Sequence, residues 1–216
     1  MPSNDHYFSA TPAGTGQRRS VDIELAGRQV RVVTAGGVFS PERLDPGTAV
    51  LLRATPPPPE AGPLLDLGCG WGPIALTMGL LSPQADVYAV DINERALDLT
   101  RTNAASLGLD RVHACLPTQV PEELRFDVIW SNPPIRVGKE ALHDLLATWL
   151  PRLAPGGTAY LVVNKNLGAD SLHRWLVVEL GCRCARLASS RGFRVLAVET
   201  AESTESTESM ENPATE

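Results

Sequence analysis

The sequence predicts an α/β fold in which helices cover both faces of a mostly parallel β-sheet. Two observations support this prediction. After residue 59, short apolar segments typical of strands alternate with longer segments whose apolar residues recur at helical spacing. The 216 residues are 43% hydrophobic and 20% charged, which is the composition of a globular chain long enough for one domain with a full core.

Residues 1–55 are predicted to form an N-terminal arm followed by a short β-hairpin. The hairpin is expected because residues 21–34 alternate in polarity around a glycine. A short helix is expected over residues 45–54, since Asp45 is a favourable N-cap and Pro46 suits the first helical position. Four consecutive prolines then form a stiff spacer, which marks the boundary to a second segment.

Residues 56–200 are predicted to form the main domain. Its last two strands, over residues 182–187 and 193–198, form a hairpin that is expected to add one antiparallel edge strand to the sheet. Pro155-Gly156-Gly157 is expected to stop the third helix of the domain. The other predicted strands cover residues 64–67, 87–90, 112–115, 126–130 and 159–163, and the predicted helices cover residues 73–81, 93–107, 140–153 and 171–180.

Residues 201–216 are predicted to be a disordered acidic tail, because they contain five glutamates, no basic residue and no periodic apolar positions. The net charge of −6 comes mostly from this tail. By contrast, residues 165–200 carry a net charge of +3, and seventeen of the nineteen basic residues are arginine, which suits contacts with phosphate. The same arginine content is also typical of an ordinary solvated surface.

We expect neither a membrane protein nor a disulfide-stabilised secreted protein. No apolar run approaches the roughly 18 to 20 residues that a membrane-spanning helix needs, and the first residues lack the basic and apolar segments of a secretion signal. The four cysteines are scattered and form no C-x-x-C pair, which favours a reduced, cytoplasmic protein. No spacing of His, Cys or acidic residues predicts a metal site.

The most informative segment is Asp66-Leu67-Gly68-Cys69-Gly70-Trp71-Gly72, in which a predicted strand runs into three alternating glycines and then a helix. Glycines permit a sharp turn and the close approach of a ligand. A dinucleotide-binding loop would carry its third glycine at the position of Pro73. The pattern therefore argues against a pyrophosphate site and for a ligand that lies directly on the loop.

Asp91 ends the next predicted strand, 23 residues after Gly68. A carboxylate at this place can accept hydrogen bonds from both ribose hydroxyls of an adenosine, and Asp66 can meet a cationic amino group through the loop or a water. A ribose together with an amino-acid cation fits S-adenosylmethionine. The alternative is a glycine-rich tight turn beside an ordinary capping aspartate.

A second motif, Ser131-Asn132-Pro133-Pro134-Ile135, follows a predicted parallel strand at the end where ligands bind in open α/β sheets. Because Asn132 precedes a proline, it favours an extended conformation, and its side-chain oxygen and the Pro133 carbonyl can point the same way as two fixed acceptors. Two acceptors on an NH2 group localise the nitrogen lone pair and direct it at an electrophilic methyl group. The alternative is a loop that the prolines only stiffen.

With these motifs the chain resembles class I methyltransferases of the small-domain family, above all the catalytic half of bacterial small-subunit ribosomal RNA guanine-N2 methyltransferases. The resemblance covers about residues 35–200 and includes residues 36–48, 66–72, 132–134 and 163–172. It implies a Rossmann-like sheet of seven strands, with S-adenosylmethionine over the three glycines.

The resemblance also implies the roles of individual residues. The expected catalytic residues are Asn132, Pro133 and Pro134, of which Asn132 and Pro133 would hold the target amine. Phe39 with residues 45–48 would close one side of the pocket as a lid. The expected substrate-binding residues are Phe39, Ile135 and Arg136. The expected cofactor-binding residues are Asp66, Gly68, Cys69, Gly70, Gly72, Asp91, Ile92 and Asn132.

Ile135 departs from the family pattern, which usually has Tyr or Phe here to stack on the base. Base–aromatic stacking contributes about 1–3 kcal/mol, so another ring would have to supply it; the candidates are Trp130, Trp71, Phe39, Tyr7 and Phe8.

The predicted function is methylation of an exocyclic base amine of RNA, with guanine N2 of ribosomal RNA preferred. Two alternatives remain open. The first is methylation of a protein glutamine or a small-molecule amide or amine, and the second is a cofactor-binding or RNA-binding module without catalysis.

Overall fold

A computed structural model describes residues 17–200 of the chain, apart from the side chain of Arg136. The expectations for Tyr7, Phe8, the acidic tail and Arg136 lie outside the described residues. Residues 17–200 form nine β-strands and five α-helices. The strands are β1 (Arg18–Leu25), β2 (Arg28–Ala35), β3 (Ala61–Leu67), β4 (Gln84–Val90), β5 (Val112–Cys115), β6 (Phe126–Ser131), β7 (Leu153–Asn164), β8 (Arg183–Ser190) and β9 (Phe193–Glu199). The helices are α1 (Pro46–Ala54), α2 (Pro73–Leu81), α3 (Glu94–Ser106), α4 (Lys139–Trp149) and α5 (Ala169–Val178).

The predicted seven-stranded, mostly parallel sheet is confirmed, with the strand order β5-β4-β3-β6-β7-β9-β8. β9 is antiparallel to both of its neighbours. The antiparallel strand was expected at the edge, and this detail is wrong because β9 lies inside the sheet and β8 forms the edge. The reason is burial: Val195, Leu196 and Val198 of β9 are almost fully buried, whereas β8 is mostly exposed.

Helices cover both faces of the sheet, as predicted. The helices α1, α2 and α3 pack on one face, and α4 and α5 pack on the other. The apolar residues that join them to the sheet are Val50, Leu51, Ile74, Met78 and Leu97 on the first face, and Leu142, Leu146, Trp149, Leu172 and Leu176 on the second.

The β1–β2 hairpin forms a small separate sheet that packs on α2 and α3. Asn103, which is fully buried, joins the two parts. Its side chain accepts a hydrogen bond from the N–H of Val33 (2.6 Å) and donates to the carbonyls of Val33 and Trp71 (both 3.0 Å). The division of the chain at residue 55 stays a prediction.

The end of α4 differs from the prediction. The helix ends at Trp149, because Pro151 lacks the N–H that a continuing helix needs and its ring would clash with the preceding turn. Pro155-Gly156-Gly157, expected to stop the helix, instead lies in β7 at an irregularity in its pairing with β6. A Cβ at Gly157 would lie 2.9 Å from the carbonyl oxygens of Ala154 and Phe126, so this bulge requires a glycine.

The register of the central strands brings three chain segments together at the carboxyl ends of these strands. Leu67 of β3 pairs with Val90 of β4 and with Ser131 of β6. The residues that follow these three are Gly68, Asp91 and Asn132, so the two predicted motifs meet at the carboxyl ends of parallel strands. On the far side of β6, β7 continues to Asn164, which pairs with Phe193 of β9.

Candidate active site

The loop after β3 turns on three glycines. Gly68, Gly70 and Gly72 have φ angles of 80°, 58° and 95°, a region that residues with a Cβ rarely adopt. A Cβ at Gly68 or Gly70 would meet no atom within 4 Å, whereas a Cβ at Gly72 would lie 3.0 Å from the side chain of Thr100. The first two glycines therefore border open space, and the third lets the loop pack against α3.

Cys69 is buried inside this loop. Its Sγ lies 3.7 Å from Oγ1 of Thr100, and its N–H donates to the carbonyl of Val90 (3.0 Å). Burial raises the pKa of the thiol well above its usual range. A thiol that keeps its proton is a poor nucleophile, so the position contributes packing and backbone to the loop.

Asp91 joins the glycine loop to the end of β4. Its Oδ2 accepts a hydrogen bond from the N–H of Gly70 and its Oδ1 accepts one from the N–H of Asn93, both at 2.9 Å. Burial raises the pKa of this carboxyl, and the N–H groups of Asn93, Gly70 and Ile92 oppose the shift. Each carboxylate oxygen can accept a further hydrogen bond, so Asp91 keeps acceptor capacity for a ligand.

Asp66 lies beneath the loop and is fully buried. Its Oδ2 accepts a hydrogen bond from the N–H of Ala75 in the first turn of α2 (2.9 Å), and its Oδ1 has no partner within residues 17–200. Burial raises the pKa of the carboxyl to about 8; the Ala75 N–H opposes this shift and the charge of Asp91 adds to it. The contact between Asp66 and a ligand amino group, expected from the sequence through the loop or a water, stays a prediction.

The buried carboxyl of Asp66 predicts a pH-dependent stability. Its pKa is about 8 in the folded protein against an ordinary value of 3.8, so between these values the folded state binds one more proton than the unfolded state. The free energy of unfolding is then expected to fall as the pH rises, by up to about 1.4 kcal/mol per pH unit from this group. Urea unfolding of the wild type and Asp66→Asn, between about pH 5 and pH 8, should show a shallower decline in the variant. Equal declines would contradict a protonated Asp66.

The side-chain amide of Asn132 is held in one orientation. Its Nδ2 donates to Oδ1 of Asp45 (2.8 Å) and to Oγ1 of Thr48 (3.0 Å). Asp45 is the N-cap of α1 and also accepts the N–H of Thr48 (2.9 Å). Because both amide hydrogens have acceptors, the Oδ1 of Asn132 is the part of the side chain that can accept a hydrogen bond from a ligand.

The two prolines after Asn132 form a tight turn. The N–H of Ile135 donates to the carbonyl of Pro133 (2.8 Å), and Pro134 between them has φ −75° and ψ 72°, the geometry of an inverse γ-turn. A carbonyl oxygen has two lone pairs. The Pro133 carbonyl therefore retains capacity for one more hydrogen bond.

Most of these residues surround a main cavity of about 310 Å³, which lies in the size range of small-molecule sites. A narrower crevice of about 20 Å³ adjoins it and is lined by Cys69. Asp66 and Gly72 line neither space. The predicted site residues that line the main cavity are Phe39, Gly68, Gly70, Asp91, Ile92, Asn132, Pro133, Pro134 and Ile135.

Sequence reasoning missed several residues of the cavity wall. Asn164 ends β7 and Phe193 begins β9, and a polar residue at the end of a predicted strand was the available signal for the first. Asp45 was assigned only to a lid, although it contacts Asn132 directly. The other residues that it did not assign are Val38, Leu67, Val90, Asn93, Ala96, Pro117, Leu145, Trp149 and Leu167.

Three further features concern cysteines, metal ligands and membrane-spanning helices. The four cysteines, all within residues 17–200, are free. The described residues contain no group of three or more His, Cys, Asp or Glu side chains that could hold a metal ion. None of the helices in that range is long and apolar enough to cross a membrane.

Residues 29–197 match the family described as Methyltransferase small domain. The chain belongs to the methyltransferase small domain family. The match extends from β2 through the glycine loop and the Asn-Pro-Pro turn to β9, so it includes every segment that forms the cavity. The chain is therefore a methyltransferase, as its sequence predicted.

Curated relatives of this methyltransferase include ribosomal RNA enzymes. It is 30% identical over 171 residues to protein YbxB of Bacillus subtilis, covering 78% of this chain and 85% of that protein. It is 34% identical over 197 residues to Ribosomal RNA small subunit methyltransferase C of Pseudomonas entomophila, covering 88% of this chain and 57% of the relative. With Ribosomal RNA large subunit methyltransferase G of Shewanella amazonensis it shares 32% identity over 178 residues, 77% of this chain and 45% of the relative. The chain thus spans about half the length of these ribosomal RNA methyltransferases.

Solved structures share the fold. The T. thermophilus 16S rRNA N2 methyltransferase RsmC, in complex with AdoMet and guanosine, matches with a TM-score of 0.75 at 26% identity, over 88% of this chain and 52% of that one. Trm5b of Pyrococcus abyssi matches with a TM-score of 0.56 at 18% identity, over 83% of this chain and 54% of that one. The second match shows the fold alone.

S-adenosylmethionine is the cofactor of the methyltransferase, and the cavity fits it. The open space above Gly68 and Gly70 is what a Cβ at either position would fill, and it adjoins the free acceptor sites of Asp91. The cavity wall also includes apolar residues, among them Pro117 and Ile92, which is 46% exposed. A polar ribose and a flat apolar ring system can therefore be accommodated side by side.

Proposed function

We propose that this methyltransferase transfers a methyl group from S-adenosylmethionine to an exocyclic base amine of RNA, most specifically N2 of guanine in ribosomal RNA. The observation that carries the proposal is the fixed amide of Asn132, which leaves its oxygen to accept from an NH2 group. The names of the relatives support the acceptor, since they are ribosomal RNA methyltransferases and RsmC was solved with guanosine. An RNA acceptor of this kind agrees with the cytoplasmic location expected from the sequence.

The residues of the main cavity divide between cofactor and acceptor. In our proposal Gly68 and Gly70 let the cofactor lie against the loop backbone, and Asp91 accepts hydrogen bonds from the ribose hydroxyls. Ile92 packs against the adenine. Asn132 stands at the opposite wall and contacts the acceptor amine, so the two substrates meet between β3 and β6.

The chemistry that these residues perform is to make a weak nucleophile reactive. S-adenosylmethionine supplies an electrophilic methyl carbon attached to a sulfonium. The oxygen of Asn132 accepts one N–H of the acceptor amine, and the second lone pair of the Pro133 carbonyl accepts the other. Methyl transfer would form the carbon–nitrogen bond as the carbon–sulfur bond breaks, and both fixed acceptors would stabilise the positive charge on the nitrogen. The surplus proton leaves to water after transfer, so the chain needs no general base.

Phe193 offers the aromatic surface that Ile135 lacks. The two buried candidates, Trp71 and Trp130, are 2% and 1% exposed and line no part of the main cavity, whereas Phe193 and Phe39 line it. The ring of Phe193 lies against the start of α1, where a Cβ at Gly47 would come within 2.9 Å of it. We propose that the target base stacks on Phe193 and that this stacking contributes about 1–3 kcal/mol to binding.

Two exposed cations close in sequence to cavity residues suit the phosphates of an RNA strand. The N–H of Lys165 donates to the carbonyl of Gly192 (2.8 Å), so Lys165 lies beside Arg191 at the β8–β9 turn. Neither side chain forms an ion pair with another described residue, whereas Arg194 and Arg186 are both paired with Asp170. Lys165 directly follows the cavity residue Asn164, and Arg191 precedes the cavity residue Phe193 by two positions.

The double variant Lys165→Ala/Arg191→Ala is expected to bind single-stranded RNA with a weaker salt dependence. Each phosphate contact contributes about 0.7 to the slope of log K against log salt concentration, so the slope should decrease by about 1.4 for two lost contacts. Arg125→Ala is the matched control, because Arg125 is an exposed cation just before β6, at the end of that strand opposite to Asn132. A slope that changes equally in both variants would contradict a phosphate-binding rim.

The experiment that tests the proposed function is methyl transfer to RNA from cells that lack this protein. The protein is incubated with a labelled methyl donor and either total RNA, isolated ribosomal subunits or total protein, and the labelled RNA is digested to nucleosides. We expect label in N2-methylguanosine of ribosomal RNA. Label in protein glutamine or in a small molecule would replace the proposal with the first alternative. An absence of transfer to every fraction, with cofactor bound, would support a binding module.

A further inference from the structure

Asp45 is the acidic residue that both spaces of the active site share. It lines the main cavity and the narrow crevice, together with Phe39, Gly68, Gly70 and Asn132. Its Oδ1 accepts the N–H of Thr48 and the Nδ2 of Asn132. Its Oδ2 accepts no hydrogen bond from any described residue. One carboxylate oxygen is therefore committed to the protein, and the other is available to a ligand.

The described charged residues that line the two spaces are all acidic. Asp45 and Asp91 are the charged residues of their described walls, and no lysine or arginine side chain that the structure describes lines either space. Asp91 lies on the β4 side of the glycine loop, and Asp45 lies on the β6 side, beside Asn132. A ligand that complements this arrangement carries hydroxyl donors at one end and a cationic amino group at the other.

Asp66 does not compete for that amino group. It lines neither space, its Oδ2 is bound to the N–H of Ala75, and its carboxyl, with a pKa of about 8, keeps its proton at neutral pH. In this protonated state Asp66 offers no negative charge to an amino group. The carboxylate of Asp45, beside Asn132, can act as the counter-ion.

We propose that Asp45 is the counter-ion of the α-ammonium group of S-adenosylmethionine, which it would bind while its Oδ1 holds the amide of Asn132. The inference rests on the proposed function only in treating Asn132 as the residue that holds the acceptor amine. The identity of the ligand, S-adenosylmethionine, depends only on the family to which the chain belongs. An occupied cofactor site would then stiffen the residue that orients Asn132, so the two substrates would meet at one side chain.

Two ligands that differ only in the amino-acid portion test this assignment by calorimetry, without any RNA. S-adenosylhomocysteine carries the α-ammonium group, and 5′-methylthioadenosine lacks it. Asp45→Asn keeps an oxygen for the N–H of Thr48 but removes the charge. This variant is expected to raise the Kd of S-adenosylhomocysteine about 10- to 100-fold, the range for a lost bond to a charged group. The Kd of 5′-methylthioadenosine should stay within about two-fold.

Two control variants distinguish the loss of a counter-ion from a general effect on the cavity. Glu42→Gln removes an exposed carboxylate of the same segment that lines neither space, and should leave both affinities unchanged. An equal loss of both ligands in Asp45→Asn would show a collapsed cavity and overturn the assignment, as would no loss of either. Asp66→Asn should weaken neither ligand selectively; a selective loss of S-adenosylhomocysteine there would transfer the role to Asp66. Because the readout is binding, its outcome is independent of which acceptor is methylated.

Discussion

Asn132→Ala is expected to reduce kcat by at least about 10²- to 10³-fold, the effect of removing one preorganised polar group from a transition state. The affinity for S-adenosylmethionine should stay within about two-fold. The reason is that the oxygen of Asn132 contacts the acceptor, while its nitrogen is bound to Asp45 and Thr48. Single-turnover methyl transfer measures the first effect and calorimetry measures the second.

Gln84→Ala is the matched control for this substitution. Gln84 is an exposed amide at the start of β4, at the opposite edge of the sheet from the site, and its loss should change neither rate nor affinity. Near-normal turnover in Asn132→Ala would mean that another group holds the amine. An equal loss of cofactor binding would mean that Asn132 belongs to the cofactor site instead.

Asp91→Ala is expected to show the opposite pattern, with cofactor binding weakened by about 10²-fold or more. Two hydrogen bonds from ribose hydroxyls to a carboxylate would be lost, at about 1.5–3 kcal/mol each, and Gly70 would lose the acceptor that fixes its N–H. Calorimetry with S-adenosylhomocysteine measures the Kd, and the rate at saturating cofactor should recover much of the wild-type value.

Asp91→Ala needs a matched variant and a check of folding. The matched variant, Asp110→Ala, removes an exposed carboxylate after α3 and should leave the Kd unchanged. The far-UV circular dichroism of Asp91→Ala should remain close to that of the wild type, since the sheet pairing on both sides of β4 does not depend on this side chain. An unchanged Kd in a folded Asp91→Ala would contradict the ribose assignment.

The sequence predicted the fold and the meeting of two motifs because both follow from local patterns. Alternating apolar segments identify the strands, and parallel strands bring their carboxyl ends to one edge. Gly68, Asp91 and Asn132 each come directly after a strand, so their proximity needed no knowledge of side-chain packing. The helix predicted to reach residue 153 ends earlier, at Trp149, for a local reason as well, since Pro151 cannot continue it.

The partners of the catalytic amide could not be predicted in the same way. Asp45 and Thr48 lie 87 and 84 residues from Asn132 in the chain, and their contact depends on how α1 packs against the sheet. Asp66 illustrates the converse. Its place before the glycines suggested a ligand, but the alternation of β3 directs its side chain beneath the loop to the N–H of Ala75. Phe193 lines the cavity because β9, which it begins, lies inside the sheet next to β7, and the sequence did not predict this strand order.

The most direct test of the catalytic role of Asn132 is a crystal structure with S-adenosylhomocysteine and guanosine bound together. We predict the exocyclic N2 of guanine about 2.7–3.2 Å from Oδ1 of Asn132, with the amide still bound to Asp45 and the sulfur of the cofactor facing that nitrogen. A guanosine whose N2 lies away from Asn132, or an Asn132 whose Nδ2 faces the nucleoside, would contradict this role.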